Sequence, residues 1–285
     1  MLEWISDRSA IGWGSALYAL SFLFALATLR KDTKVGHFVF RLTLYAGFLA
    51  HTLGLYTRGG AINAFPLTNT FEIIQTLAWA AMALNLILRQ LFNLRLLQFF
   101  TSGLVAALSG IAMWVPGWDS PPQVTALSGN PWVGFHAGLA IFSYSVFGLL
   151  AITSVMYLLQ NYGLHSMRSG GLFARLPAIR QLEDINGKLI VLGVSVLTIA
   201  IVIGMLNWLT EPGTIGLLKL FVAIGVWLSY CTLLYLRKKN QLVATRFAQA
   251  CVGLFIVALL SLWPLTRNNG SQSISPNSVF RTHVK

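Results

Sequence analysis

Residues 189–209 read Leu-Ile-Val-Leu-Gly-Val-Ser-Val-Leu-Thr-Ile-Ala-Ile-Val-Ile-Gly-Met-Leu-Asn-Trp-Leu, twenty-one residues without a charge. Crossing the hydrocarbon of a bilayer takes about 20 mostly apolar residues in a helix. The apolar residues here form a continuous run and leave no polar stripe for water, unlike the three-to-four spacing of an amphipathic surface helix. Inside a bilayer every backbone N–H and C=O must find its partner within the segment, and a helix provides that. The stretch therefore predicts a transmembrane helix.

Working outward, runs of the same kind predict helices at about 11–29, 37–56, 69–88, 96–115, 132–160, 187–209, 217–236 and 247–265. The expected fold is all-α: a polytopic integral membrane helical bundle of eight transmembrane helices over residues 1–267, with a polar, disordered tail at 268–285. Composition agrees. Only 10% of the 285 residues are charged and 56% are hydrophobic, whereas about a quarter of an ordinary soluble domain is charged. The first run follows the acidic Glu3 and Asp7 and has no clear cleavage site, so it reads as a retained helix and not a signal peptide.

A net charge of +12 raises the question of nucleic acid, but the cations sit between apolar runs and form no basic domain. They follow the odd-numbered helices: Arg30, Lys31 and Lys34, then Arg89 and Arg95, then Arg168, Arg175, Arg180 and Lys188, then Arg237, Lys238, Lys239 and Arg246. The even-numbered connections hold Arg58 and little else, with Lys219 at the mouth of helix seven. Cationic loops stay in the cytoplasm. Both termini are thus expected on the outer face of a bacterial-type inner (cytoplasmic) membrane, although Arg267, Arg281 and Lys285 would also face outward. The longest cytoplasmic connection, about 161–186, spaces Leu172, Phe173, Leu176, Ile179 and Leu182 between arginines, as in a short amphipathic helix on the inner leaflet.

This orientation sorts the residues that could carry chemistry. His51 lies about one and a half turns from the outer end of helix two, and His136 about one turn inside the outer end of helix five. Imidazole is an ordinary haem-iron ligand and histidine within a membrane span is uncommon, so the two form a candidate axial pair. Packing with a hydrogen bond to a neighbouring helix is the competing role. Trp114, Trp118 and Trp132 flank the outer 116–131 loop and could cover a flat apolar ligand, or could anchor the interface as tryptophan commonly does.

Glu72 opens helix three after Thr68-Asn69-Thr70, where an acid complements the helix dipole. Cys231 and Cys251 lie within apolar runs and read as small hydrophobes, and the absence of Cys-x-x-Cys-His excludes a c-type cytochrome. No nucleophile stands beside a base and no spacing fits zinc, so no enzyme activity is expected.

Several stretches resemble a known family. Pro66-Leu67-Thr68-Asn69-Thr70-Phe71-Glu72 is similar to the P-L-S-N-x-Y-E helix entry of cytochrome c assembly proteins of the CcsA type. Trp132-Val133-Gly134-Phe135-His136, with Ser143-Tyr144 beyond it, resembles their W-L-x-x-H-V segment. Leu182-Glu183-Asp184-Ile185-Asn186 and the stretch Lys219 to Arg237, with Trp227-Leu228-Ser229-Tyr230, follow in the family order, so the likeness covers roughly 45–265.

The resemblance implies a protein that binds and positions haem near the outer membrane face for c-type cytochrome assembly. Its expected partners are haem, other cytochrome c assembly membrane proteins and the lipid bilayer. His136 falls on an outer haem-ligand position, and His51 in a helix where relatives often carry a histidine. The chain departs from the family pattern at three places. Where a W-G-x-x-W-x-W-D loop is expected, Trp208 to Gly216 holds one Trp and the acid Glu211; Tyr235 replaces a membrane histidine; and Leu259 to Thr266 lacks the second outer histidine. This reduced pattern is closer to the HemX-like branch. That branch implies an alternative: a membrane regulatory or scaffold protein acting through its basic loops without binding haem.

Overall fold

The computed structural model describes residues 6–30, 33–92, 95–120, 131–167, 173–210 and 217–267. The 268–285 tail lies outside them, as do Lys31, Arg168, Leu172, Glu211 and the middle of the 116–131 loop. The elements are α1 (Asp7–Arg30), α2 (Lys34–Ile62), α3 (Thr70–Phe92), α4 (Arg95–Trp114), α5 (Pro131–His165), a 3-10 turn at Phe173–Arg175, α6 (Ile179–Thr210), α7 (Leu217–Lys238) and α8 (Ala244–Arg267). Among the described residues these eight α-helices are all long and apolar enough to cross a membrane. The protein is a polytopic helical membrane protein.

The bundle has two halves. α1 to α4 pack on one another, with α1 against both α2 and α4; α5 to α8 form the second half, with α6 and α8 laid on α5. α3 and α4 join the halves by packing on α5. α5 is accordingly the central helix: Val146, Phe147, Leu149, Leu150 and Met156 are fully enclosed. α7 stands at the edge, touching α6 and α8 and exposing Phe221 and Leu228. A helix buried on all sides and a helix mostly facing outward read alike in sequence, because lipid and protein interior are equally apolar.

α5 and α6 are longer than a membrane needs. Their 35 and 32 residues correspond to about 50 Å of helix each, against about 30 Å of hydrocarbon. The surplus at the end carrying His165 and Ile179 corrects one expectation: among the described residues no separate amphipathic helix lies in the 161–186 connection. α6 begins at Ile179, and Leu176, Leu182 and Ile185 are buried in one apolar cluster with Met156 and Tyr157 of α5. The same periodic leucines that could lie on a membrane surface are used to seat the extension of α6 on α5. Thr153 clamps the pair by donating to Asn186 Oδ1 at 2.5 Å.

Helix ends follow local chemistry. Thr33 caps α2 by accepting from the Gly36 N–H at 3.1 Å. Asn63 ends it in the left-handed region at φ 49°, a conformation that asparagine tolerates better than most residues. The α1–α2 seam depends on glycine. A Cβ on Gly54 would stand 2.5 Å from Ile11 Cγ1 and 2.9 Å from the Ile11 backbone nitrogen. Small residues let membrane helices touch backbone to backbone, which is how they associate without a hydrophobic driving force. Gly54→Val should therefore lower stability by about 1–3 kcal/mol, read as an earlier thermal transition in detergent. Gly60→Ala, with nothing within 4 Å, should leave the transition in place; equal effects would mean that the seam is not tightly packed.

Candidate functional site

One end of the α1–α4 half is closed by an ion network. Arg58, in the last turns of α2, donates from Nε to Glu72 Oε1 at 2.7 Å and from Nη1 to Asp7 Oδ2 at 3.1 Å. Its Nη2 donates to Asp119 Oδ1, and Arg8 reaches the other oxygen of the same carboxylate at 2.5 Å. Both guanidinium groups lie over the Phe71 ring, Arg58 at 4.9 Å and Arg8 at 5.6 Å. Glu72 is wholly enclosed, and its second oxygen accepts from Thr68 N–H at 2.6 Å and from the Thr68 hydroxyl at 2.7 Å. Asn69 caps α3 by accepting from the Glu72 N–H at 2.9 Å, while its amide donates to Ser120 C=O at 2.8 Å. Two cations and three carboxylates thus tie α1, α2, α3 and the segment after α4. Arg58 is committed to carboxylates on every side, so the network is a clamp and offers no place for an anionic ligand.

Beneath the clamp a polar seam runs into the same half. Gln75 donates to Ser109 C=O at 3.2 Å and accepts from the Ser109 hydroxyl at 2.6 Å, and Ser109 in turn meets Ser15. Trp79 donates to Thr52 at 2.8 Å. His51, next to Thr52, is completely enclosed, edge-on to Tyr18 with ring centroids 5.9 Å apart. Neither ring nitrogen of His51, nor the Tyr18 hydroxyl, has a hydrogen-bond partner. Buried polar groups without partners are costly and uncommon, so this imidazole fits a position that receives a water or another ligand.

His136 lies elsewhere. It sits near the start of α5, half-buried against α6, with Nδ1 at 2.6 Å from Ala200 C=O. A carbonyl only accepts, so Nδ1 carries a proton; in the neutral ring Nε2 then holds the lone pair. Gly204 makes room for the ring; a Cβ there would stand 2.5 Å from His136 Cε1. An imidazole fixed through Nδ1–H with Nε2 as electron-pair donor is the usual state of a metal-ligating histidine.

The structure separates what sequence depth alone had grouped. His51 belongs to the α1–α2 pair and His136 to the α5–α6 pair, and no ring contact or hydrogen bond joins them. The three tryptophans divide as well. Trp114 and Trp132 are exposed, whereas Trp118 is half-buried against the cluster of Ile11, Leu55, Phe71 and Ala112 and gives its carbonyl to Phe71 N–H at 3.1 Å. Trp118 thus serves the clamp. Beside His136 the aromatic surface is instead Trp132, Phe135 and Phe65, all exposed, with Phe65 lying 3.3 Å from where a Gly134 Cβ would be. Among the described residues no group of three or more His, Cys, Asp or Glu could hold a metal ion.

The sequence pattern of the family described as "Cytochrome C assembly protein" matches residues 67–264. The chain belongs to the cytochrome c assembly family. Among its relatives, Protein HemX of Brevibacillus brevis is 30% identical over 207 residues, covering 72% of this chain and 73% of the relative. Protein HemX of Bacillus subtilis (strain 168) is 27% identical over 263 residues, covering 87% of this chain and 91% of its own. Cytochrome c biogenesis protein CcsA of Porphyra purpurea is 24% identical over 201 residues, 57% of this chain and 62% of that protein. Both expected branches of the family are thus represented.

Within this family chain, the departures noted in the sequence fall as follows. Tyr235, standing where a membrane histidine was expected, is exposed on α7 with Lys239 Nζ 5.9 Å from its ring centre. Most of the shortened Trp208 to Gly216 connection lies outside the described residues. Sequence reasoning missed the clamp. Arg58 stood out only as a lone cation on the sparse side, and Glu72 only as a helix-cap acid. The available signal was that Asp7, Arg8, Arg58, Glu72 and Asp119 all fall within a few residues of helix ends at the same end of the bundle.

Proposed function

We propose that this protein handles haem during c-type cytochrome biogenesis, holding it at the end of the bundle formed by the clamp and the start of α5, and that this end faces outward from a bacterial-type inner membrane. The state of His136 is the observation that supports this most. Its Nδ1–H is held by Ala200 C=O, which in the neutral ring leaves Nε2 to donate, and the family resemblance gives this position to an outer ligand. Haem is cargo here: its iron accepts an imidazole nitrogen and its macrocycle presents flat apolar faces. Trp132 and Trp114 are exposed at the same end and would cover such a face, where aromatic contact contributes most. His51 is the second ligand in this proposal. Its enclosed, unpartnered ring would be relieved by coordination, provided that the α1–α2 seam opens to admit it. The protein delivers haem to other assembly proteins and catalyses no covalent chemistry itself.

Two experiments bear on this. A cysteine at Gly60 should react with a membrane-impermeant maleimide added to intact cells, and one at Lys239 should react only after lysis; the reverse pattern would invert the proposed orientation. Cells lacking the protein should lose covalently bound haem from their c-type cytochromes, and His136→Ala should fail to restore it. The resemblance to the HemX-like branch, whose named relatives align over most of the chain, implies a regulatory scaffold as the second reading. In that case cytochrome haem would be unchanged in the deletion strain while haem-precursor levels shifted.

A further inference from the structure

The opposite end of the bundle holds a cleft with a different chemistry. It is a shallow, open cleft of about 480 Å3 along α6 beside the end of α7, lined by Asp184, Gly187, Lys188, Val191, Leu192, Ser195 and Arg237. Arg237 is half-buried. One of its N–H groups donates to Glu183 C=O at 2.5 Å, and its plane lies 4.3 Å from the centre of the Phe247 ring. Gly187 permits this, since a Cβ there would stand 3.1 Å from Nη2. Asp184 and Lys188 pair at 2.8 Å, and the Glu183 and Asp184 carboxylates act on Arg237 from a distance, without an ion pair to it among the described residues.

A guanidinium has five N–H donors in a planar fork that matches a phosphate. Holding it half-buried against one carbonyl and one ring leaves several N–H donors without a hydrogen-bond partner, an arrangement that favours an anion. The floor of the cleft says which kind of anion. Below the cations it is apolar, and the exposed face of α6 continues downward through Leu192, Ile199, Val202 and Leu206 in steps of three to seven residues. That track runs for about 20 Å, comparable to one leaflet of the bilayer. A soluble anion would use the cations alone, whereas a lipid would use both the cations and the apolar track that leads away from them.

We propose that this cleft binds an anionic phospholipid, its phosphodiester against Arg237 and Lys188 and an acyl chain along the α6 track. Basic pockets between transmembrane helices suit acidic headgroups in this way. The site is independent of haem handling and lies at the other end of the molecule.

The test is native mass spectrometry of the full-length protein, delipidated in detergent and then mixed with phosphatidylglycerol, phosphatidylcholine or inorganic phosphate. The expected result is a single phosphatidylglycerol adduct that outlasts any phosphatidylcholine adduct. Arg237→Gln and Lys188→Gln should each weaken it about fivefold, and Arg237→Lys should fall between. Lys238→Gln, on the same turn but outside the cleft, should change nothing. Lys188 is exposed, so its variant carries the test even if Arg237→Gln does not fold. Equal retention of the two lipids, equal loss in the Lys238 variant, or binding of phosphate without lipid would each overturn the assignment.

Discussion

Arg58→Met should destabilise the protein more than any other single exchange of similar size, by about 3–5 kcal/mol. The side chain is almost fully enclosed and donates to three carboxylates, of which Glu72 is completely buried. Its removal leaves Glu72, Asp7 and Asp119 facing one another with only Arg8, on Asp119, as counter-charge. Glu72→Gln should cost less, because the Thr68 contacts can be partly kept and one buried negative charge disappears. The double variant Arg58→Met, Glu72→Met should recover stability relative to the sum of its parts, with a coupling of about 0.5–3 kcal/mol. Thermal unfolding in detergent reads all three. Strict additivity, or a wild-type transition in Arg58→Met, would show that the network does not hold the helix ends together.

His136→Ala should lower haem affinity at least tenfold, since even outer-shell partners of metal ligands contribute about 10–100-fold. The variant His136→Gly should regain the wild-type spectrum when imidazole is added, because the cavity left behind admits the free ring. Gly204→Ala tests positioning separately. A Cβ there would stand 2.5 Å from His136 Cε1 and 2.8 Å from Nδ1, so the ring must turn and its bond to Ala200 must lengthen. The expected outcome is a shifted Soret band with the haem still bound. A His51→Ala protein should keep the His136 bond and show a five-coordinate or weakly held haem. If His136→Ala and His51→Ala both retain wild-type content and spectrum, the two histidines are packing residues.

The helices were legible because run length and charge placement are properties of single segments. The predicted span at 37–56 falls short of α2, which runs on to Ile62, because Thr57, Arg58 and two glycines look like a loop until the carboxylates that neutralise Arg58 are known. Those partners are 14, 51 and 61 residues away in the chain, beyond any local pattern. The 161–186 segment misled for another reason: leucines at helical spacing bury equally well on a membrane surface or against α5. His136 lies little more than a turn inside the start of α5, but position along a helix is one coordinate. It does not say which way around the bundle a side chain points, and His51 and His136 face different helix pairs. The Nδ1 lock on His136 joins residues 64 apart and could not be seen in advance. Glu72 was the most legible site residue, because Thr68-Asn69 before an acid is a local capping pattern that the structure reproduces.

The central claim, that this chain holds haem through His136, is tested most directly by titrating the purified wild-type protein with haem and following the Soret band. The account predicts a saturable band distinct from haem in detergent alone, reaching an end point of a fixed number of haems per chain, and lost on the same titration of His136→Ala. A titration indistinguishable from empty detergent micelles would contradict it.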